Sequence, residues 1–180
     1  LDQIVEKVKT DGRNKEYDCI QGVSGGLDSS YVLYKTKQSG LRPLAVHLDN
    51  GWDSELAVNN IERLINGFDV ELYTHVIDWE EFKGLQRAFF KSNVIDIELL
   101  TDNAIWAILY QVALQHNIKY IIGGTNTANE GMDMPRGWNH FKKDLVNIKA
   151  INRMFGSGGR LRTFPGMGLY KHIKYTYLNR

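Results

Sequence analysis

Residues 23–30, Val23-Ser24-Gly25-Gly26-Leu27-Asp28-Ser29-Ser30, constrain this chain more than any other stretch, because they follow an apolar run and lead directly into a helical pattern. A strand that ends in a glycine-rich turn and enters a helix exposes consecutive backbone N–H groups where the helix dipole favours negative charge. Gly25 and Gly26 permit the positive φ and close approach that a phosphate-wrapping loop needs, and Ser24, Ser29 and Ser30 add hydroxyl donors. No lysine stands at the helix start, so this is not the mononucleotide P-loop. Nor is it the dinucleotide fingerprint, because Gly22, Gly25 and Gly26 lack the G-x-G-x-x-G spacing. Asp28 at the helix start would repel phosphate unless a metal ion bridged the two, which implies Mg²⁺. An ordinary Gly-rich turn would explain the glycines but not three serines and an aspartate at these offsets.

The rest of the chain supplies a frame for such a loop. Short runs rich in β-branched and aromatic residues predict strands at Tyr17 to Val23, Pro43 to Leu48, Glu71 to Val76 and Lys119 to Ile122. Segments of helical period predict helices at Ser29 to Gln38, Glu55 to Asn66 and Asp102 to His116, with an opening helix at Asp2 to Thr10 and a shorter one N-capped by Asp78. Gly40, Gly67 and Asn117 each sit where a left-handed C-cap residue is wanted. The alternation predicts a doubly wound, mostly parallel α/β sheet with helices on both faces. A Gly-rich stretch from Gly156 to Gly168 reads as a loop before the C-terminal run.

Composition sets the outer bounds. A chain of 180 residues, 43% of them hydrophobic, buries one sizeable core, so a single domain over 1–180 is expected. It opens with Leu1 and stops at Arg180 inside a patterned run, which reads as a piece of a longer protein. No apolar stretch reaches the roughly 20 residues that span a bilayer, and no signal peptide is visible, so a cytoplasmic, membrane-free protein is expected. The single Cys19 excludes a disulfide framework or a Cys-rich metal site in this segment. Residues 141–180 hold nine Lys or Arg against one acid, Asp144, a net of +8, so the remainder of this +1 chain carries −7. The asymmetry suits an anionic partner such as ATP, a nucleotide-linked substrate or RNA, and equally a solvated basic surface.

In an open α/β sheet ligands bind beyond the carboxyl ends of the strands. The second strand ends in His47-Leu48-Asp49-Asn50-Gly51, where a plain turn competes with a binding role for Asp49 and Asn50. The fourth runs into Gly123-Gly124-Thr125-Asn126-Thr127-Ala128-Asn129-Glu130, whose acid is either a Mg²⁺ ligand or a solvated loop carboxylate.

The segment SGGLDSS resembles the PP-loop signature of the N-type ATP pyrophosphatases, a superfamily that includes GMP synthetase, NAD synthetase, asparagine synthetase and tRNA-thiolating enzymes. Within it the chain resembles the N-acetyl sugar amidotransferases of bacterial surface-polysaccharide (O-antigen) biosynthesis. That resemblance rests on GVSGGLDSSYVLYK, HLDNGWDSELAVNNI, GTNTANEGMDMPRGWNH and LRTFPGMGLYKHIKY, the last two being the discriminating ones.

The resemblance implies an ATP-dependent enzyme that converts an acetamido group on a nucleotide-linked sugar to an acetamidino group. It places the pyrophosphate on Ser24, Gly25, Gly26, Ser29 and Ser30, and the adenosine along Val46, His47, Leu48 and Asp49, with Gly124 and Thr125 of the Gly-Thr loop completing the nucleotide site. Asp28 and Glu130 are the implied Mg²⁺ ligands. From composition, Lys142, Arg160 or Arg162 is a candidate to neutralise departing charge, and Trp138 and His140 either contact the sugar nucleotide or anchor packing. Cys19, mid-strand, fits no glutaminase nucleophile, so the resemblance implies a separate glutaminase subunit that supplies ammonia, with no membrane or nucleic-acid partner. Family members usually carry cysteines upstream of this region, and none stand here. Two other classes compete: a tRNA-modifying PP-loop enzyme, which the basic segment suits, and a nucleotide-binding module without turnover.

Overall fold

The computed structural model describes residues 1–124 and 141–178, apart from the side chain of Leu178. The element order is α1 (Asp2–Gly12), β1 (Cys19–Gly22), α2 (Leu27–Gln38), β2 (Pro43–Asp49), α3 (Glu55–Phe68), β3 (Leu72–Val76), α4 (Trp79–Lys91), α5 (Leu99–Gln115), β4 (Ile121–Ile122), α6 (Leu145–Phe155) and α7 (Leu169–Ile173), which continues as a π-helical stretch, Lys174–Leu178. The described residues group into two compact units: one of Leu1–His47, Asp53–His75 and 109–124, the other of Leu48–Trp52, Val76–Ile108 and 141–178.

The first unit is built on a four-stranded sheet of order β3-β2-β1-β4. β1 pairs in parallel with β2, Ile20 opposite Leu44, and with β4, Ile20 opposite Ile121. A side-chain period of two sends Gln21 and Gly22 to opposite faces. Gln21 Nε2 donates to the carbonyl of Ser29 on α2 at 3.0 Å, whereas a Cβ on Gly22 would meet Leu109 of α5 at 3.7 Å. Helices therefore cover both faces, and the doubly wound α/β class expected from the sequence is the one observed. Val23, Leu33, Ala45, Ile61 and Val70 form one core cluster, joined by Leu64, Ile65 and Phe68; Val8, Cys19 and Leu41 form another. Each fully buried aliphatic side chain of this kind contributes about 2 kcal/mol.

Helix ends follow local chemistry with two departures. Ser54 and Asp78 cap α3 and α4, accepting from the N–H groups of Ala57 and Glu81 at 3.1 and 2.9 Å. Gly40 and Asn117 take the left-handed conformation expected of them, φ +74° and +52°. Gly67 does not: α3 runs on through Phe68, which packs against the core, and Asp69 turns left-handed instead at φ +50°. α5 starts at Leu99, before the expected Asp102: Asp96 Oδ1 accepts from the Glu98 N–H in the turn ahead of it, and the Glu98 carbonyl accepts from the Asp102 N–H at 3.0 Å.

In the second unit α4 presents Phe82, Leu85 and Phe89 at helical spacing to a core of Ile77, Leu99, Leu100, Ala104, Ile148, Ile151 and Phe164. Two polar side chains fasten the C-terminal segment to it. The Glu81 carboxylate accepts from the backbone N–H groups of Arg162, Thr163 and Phe164 at 2.7, 3.1 and 2.7 Å, and from the Thr163 hydroxyl. Fully buried Asn103 donates to the carbonyls of Lys142 and Met167 and accepts from the Met167 N–H at 2.7 Å. Among the described residues no helix is long and apolar enough to cross a membrane.

Candidate active site

β1 is the strand at which the order of the sheet reverses, β2 lying on one side and β4 on the other. The turn that leaves it therefore opens at a topological switch point, where open α/β sheets bind ligands. That turn is the Ser24–Ser30 loop. Gly25 takes φ +72°, and a Cβ there would stand 2.3 Å from the carbonyl oxygen of Ala57 on α3. Only glycine satisfies both the left-handed backbone and the close approach. On the other side, a Cβ on Gly124 would meet the Ser29 Cα at 3.3 Å, so the turn after β4 lies directly against the start of α2.

The serines shape the loop from within. Ser29 Oγ accepts from the Ser24 N–H at 3.3 Å and lies 3.1 Å from Ser24 Oγ, while Ser30 Oγ donates to the Gly26 carbonyl at 2.6 Å. Gly26 is the N-cap of α2 and supplies no side-chain cap, which leaves the first-turn N–H groups without a side-chain acceptor. Ser24, Gly26 and Asp28 are exposed. Such an end, with unused donors and a favourable dipole, is suited to a polyphosphate. No hydrogen bond or ion pair to the Asp28 carboxylate occurs among the described residues. Nor do three or more His, Cys, Asp or Glu side chains cluster there as a protein-only metal cage. A carboxylate beside a loop of this kind is a ligand type that Mg²⁺ takes together with phosphate oxygens.

Of the residues placed along the nucleotide, Val46 and His47 are buried at the end of β2. His47 Nδ1 donates to the Val23 carbonyl at 3.1 Å, since a carbonyl can only accept, and Nε2 lies 3.3 Å from the Asp53 carboxylate. Leu48 and Asp49 are half-buried and group with the second unit, where Asp49 Oδ1 accepts from the Gly51 N–H at 2.9 Å. That hydrogen bond closes the turn after β2. Lys142 and Arg160 also belong to the second unit. Lys142 is not a free cation: its ammonium is shared between Asp96 and Asp102. Burial, the largest single influence, lowers its pKa, but the hydrogen bonds and charges of the two carboxylates together outweigh it and the net shift is upward. Arg160 is exposed, and Arg162 meets Glu81 through its backbone N–H. Thr125, Glu130, Trp138 and His140 lie outside the described residues.

The sequence did not single out Asn60, Ala57, Asp53 or Gln21. Asn60 Nδ2 donates to the Gly25 carbonyl at 3.1 Å, and Gln21, wholly buried, is bonded through its amide nitrogen to α2 while its Oε1 has no partner among the described residues. A signal was present in HLDNGWDSELAVNNI, which carries Asp53, Ala57 and Asn60 on the approach to α3 and its first turns. Cys19 is fully buried, and burial, reinforced by the charge of Asp18, pushes its thiol up to about 12. That agrees with a structural thiol rather than a nucleophile.

No family model and no curated protein matches the chain. Solved structures do. An NH3-dependent NAD synthetase from Campylobacter jejuni, in complex with the nitrate ion, aligns with a TM-score of 0.54 at 15% identity over 84% of this chain and 69% of its own. NMN synthetase from Francisella tularensis aligns with a TM-score of 0.54 at 17% identity, over 99% of this chain and 82% of its own. A glutamine-dependent NAD+ synthetase from Acinetobacter baumannii, in complex with ADP, aligns with a TM-score of 0.57 at 16% identity over 90% of this chain, which spans 33% of that enzyme. Likeness at these identities is likeness of fold, and the fold of this chain is that of the NAD and NMN synthetases.

Proposed function

We propose that this chain is an ATP-pyrophosphatase domain of an ammonia-using amidotransferase, and that its acceptor is a nucleotide-linked N-acetyl sugar. One observation carries the first half: the SGGLDSS loop stands at the switch point of the sheet with Gly25 left-handed, three serines bonded within the loop and the Asp28 carboxylate exposed at the start of α2. A loop of that kind suits an ATP polyphosphate, and Asp28 would help to hold Mg²⁺, which supplies charge neutralisation. The sugar acceptor, the O-antigen context and a separate glutaminase subunit rest on the resemblance of GTNTANEGMDMPRGWNH and LRTFPGMGLYKHIKY, and a cytoplasmic setting rests on composition, the single Cys19 among it.

An amide carbonyl is a poor electrophile with a poor leaving group. In the proposed reaction its oxygen attacks the α-phosphorus of ATP and pyrophosphate departs. Ammonia then adds to the O-adenylated carbon, the adduct loses a proton, and AMP leaves to give the amidine. The protein's share is positioning and charge neutralisation, because displacement at phosphorus asks little covalent help of side chains. Gly25 lets the loop pass close against α3, and the first-turn N–H groups of α2, which Gly26 caps with no side chain, would serve as donors to the charge.

Phosphorus NMR with ATP, Mg²⁺, ammonium and a panel of UDP-linked N-acetyl sugars tests both halves. AMP and pyrophosphate formed only in the presence of one sugar are expected. ADP and phosphate, or no turnover with any sugar, would sink the amidotransferase reading.

A further inference from the structure

The loop is braced from behind by residues whose roles the proposed chemistry does not explain. A trans peptide directs its C=O and its N–H to opposite sides. The Val23 carbonyl is fixed by His47 Nδ1, and the N–H of the same peptide unit, that of Ser24, points to Ser29 Oγ at 3.3 Å. Whatever holds His47 therefore sets the direction of the first N–H of the phosphate loop. Asp53 lies against its other ring nitrogen, the carboxylate 3.3 Å from Nε2. Asn60, two turns along α3, donates to the carbonyl of Gly25, and the backbone of Ala57 blocks any side chain there. His47 is 8% exposed and has both ring nitrogens in contact within the chain, which leaves its side chain nothing to offer a nucleotide.

We infer that His47, Asp53 and Asn60 are positioning residues that hold the SGGLDSS loop in its phosphate-binding shape, and that His47 acts through the loop backbone rather than as a ligand to adenosine. The inference rests on the ATP reading above and goes beyond it: it gives three residues of HLDNGWDSELAVNNI a shared purpose. His47 and a ligand to adenosine differ in what they control. A residue that shapes the loop governs every phosphate ligand, including one with no base, whereas a ligand to adenosine governs ATP alone.

Equilibrium dialysis of the full chain with labelled ATP and, separately, inorganic pyrophosphate, each with Mg²⁺, reads this difference. His47→Phe removes both ring nitrogens at similar volume and is expected to weaken ATP and pyrophosphate in equal proportion, about tenfold, the effect of unpairing one backbone carbonyl. His47→Asn places an amide N–H where Nδ1 stood and should restore most of the affinity for both. Asp53→Ala and Asn60→Ala, which act at more accessible positions, should each weaken both ligands at least about threefold while the melting temperature shifts little; they decide the matter if His47→Phe fails to fold. Weakening of ATP with pyrophosphate unchanged would overturn the inference, as would unchanged affinity for both ligands in the folded variants. A wild-type chain that binds neither ligand would instead overturn the ATP reading, and this inference with it.

Discussion

A Cβ on Gly25 would stand 2.3 Å from the carbonyl oxygen of Ala57, a separation that no side chain tolerates, at a residue already held at φ +72°. Gly67, on the same helix as Ala57, is the opposite case: nothing lies within 4 Å of a Cβ there. Gly25→Ala must adopt a left-handed backbone and displace α3, at a cost of about 2 kcal/mol or more. Gly67→Ala, in a helical backbone with open space, should stabilise the chain by about 0.5–1 kcal/mol. Urea denaturation of the two variants should therefore move the midpoint in opposite directions, and equal shifts would show that the loop is not wedged against α3.

Cys19 is fully buried in β1, and burial raises its thiol to about 12. The thiolate is the reactive form, so at pH 8 the native chain should leave a chromogenic disulfide reagent unreacted for hours. In urea the group recovers its ordinary value and should react to one equivalent within minutes. Rapid reaction of the native chain would mean that β1 is open to solvent.

The Glu81 carboxylate gathers three backbone N–H groups and a hydroxyl from residues 162–164. A glutamine retains a single acceptor oxygen and turns its amide N–H groups toward donors, which leaves at least one backbone N–H unpaired. Glu81→Gln should cost about 2–3 kcal/mol. Hydrogen exchange should speed up at Arg162, Thr163 and Phe164 before it does in α4, and protection retained at those three amides would remove Glu81 as the fastening.

What the sequence made legible was local, and what it hid was not. β1, the loop and α2 could be read because glycine, serine and aspartate at fixed offsets specify a turn by their own steric and hydrogen-bonding limits. β2 and β3 showed through their short runs of apolar, β-branched and aromatic residues to within a residue at each end. The end of α3 was misread because Phe68 gains more by packing than Gly67 gains by turning left-handed, and Asp69 tolerates φ +50°. Lys142 looked like a loose cation in a basic segment, while its partners Asp96 and Asp102 lie in a distant part of the chain. The brace on the loop was hidden for the same reason: Asn60 reaches Gly25, and His47 reaches Val23, only after the sheet and α3 have formed.

Asp28 is where stability and activity separate most cleanly. It lies in the first turn of α2, where an acidic side chain favours the helix by about 0.3–1 kcal/mol, and it is exposed with no bonded partner among the described residues. If that dipole were its whole purpose, Asp28→Asn would lower the melting point by a few degrees at most and leave turnover alone. If its carboxylate helps to hold Mg²⁺ against the polyphosphate, the amide loses the charge that makes it a ligand for a hard cation, and AMP formation should fall about 100-fold or more. The expected result is therefore a folded chain with a near-native melting curve and almost no pyrophosphate release, measured by thermal denaturation and a coupled pyrophosphate assay on the same preparation. A variant that still releases pyrophosphate at the wild-type rate would take Asp28 out of the metal site and leave it a helix-terminal charge.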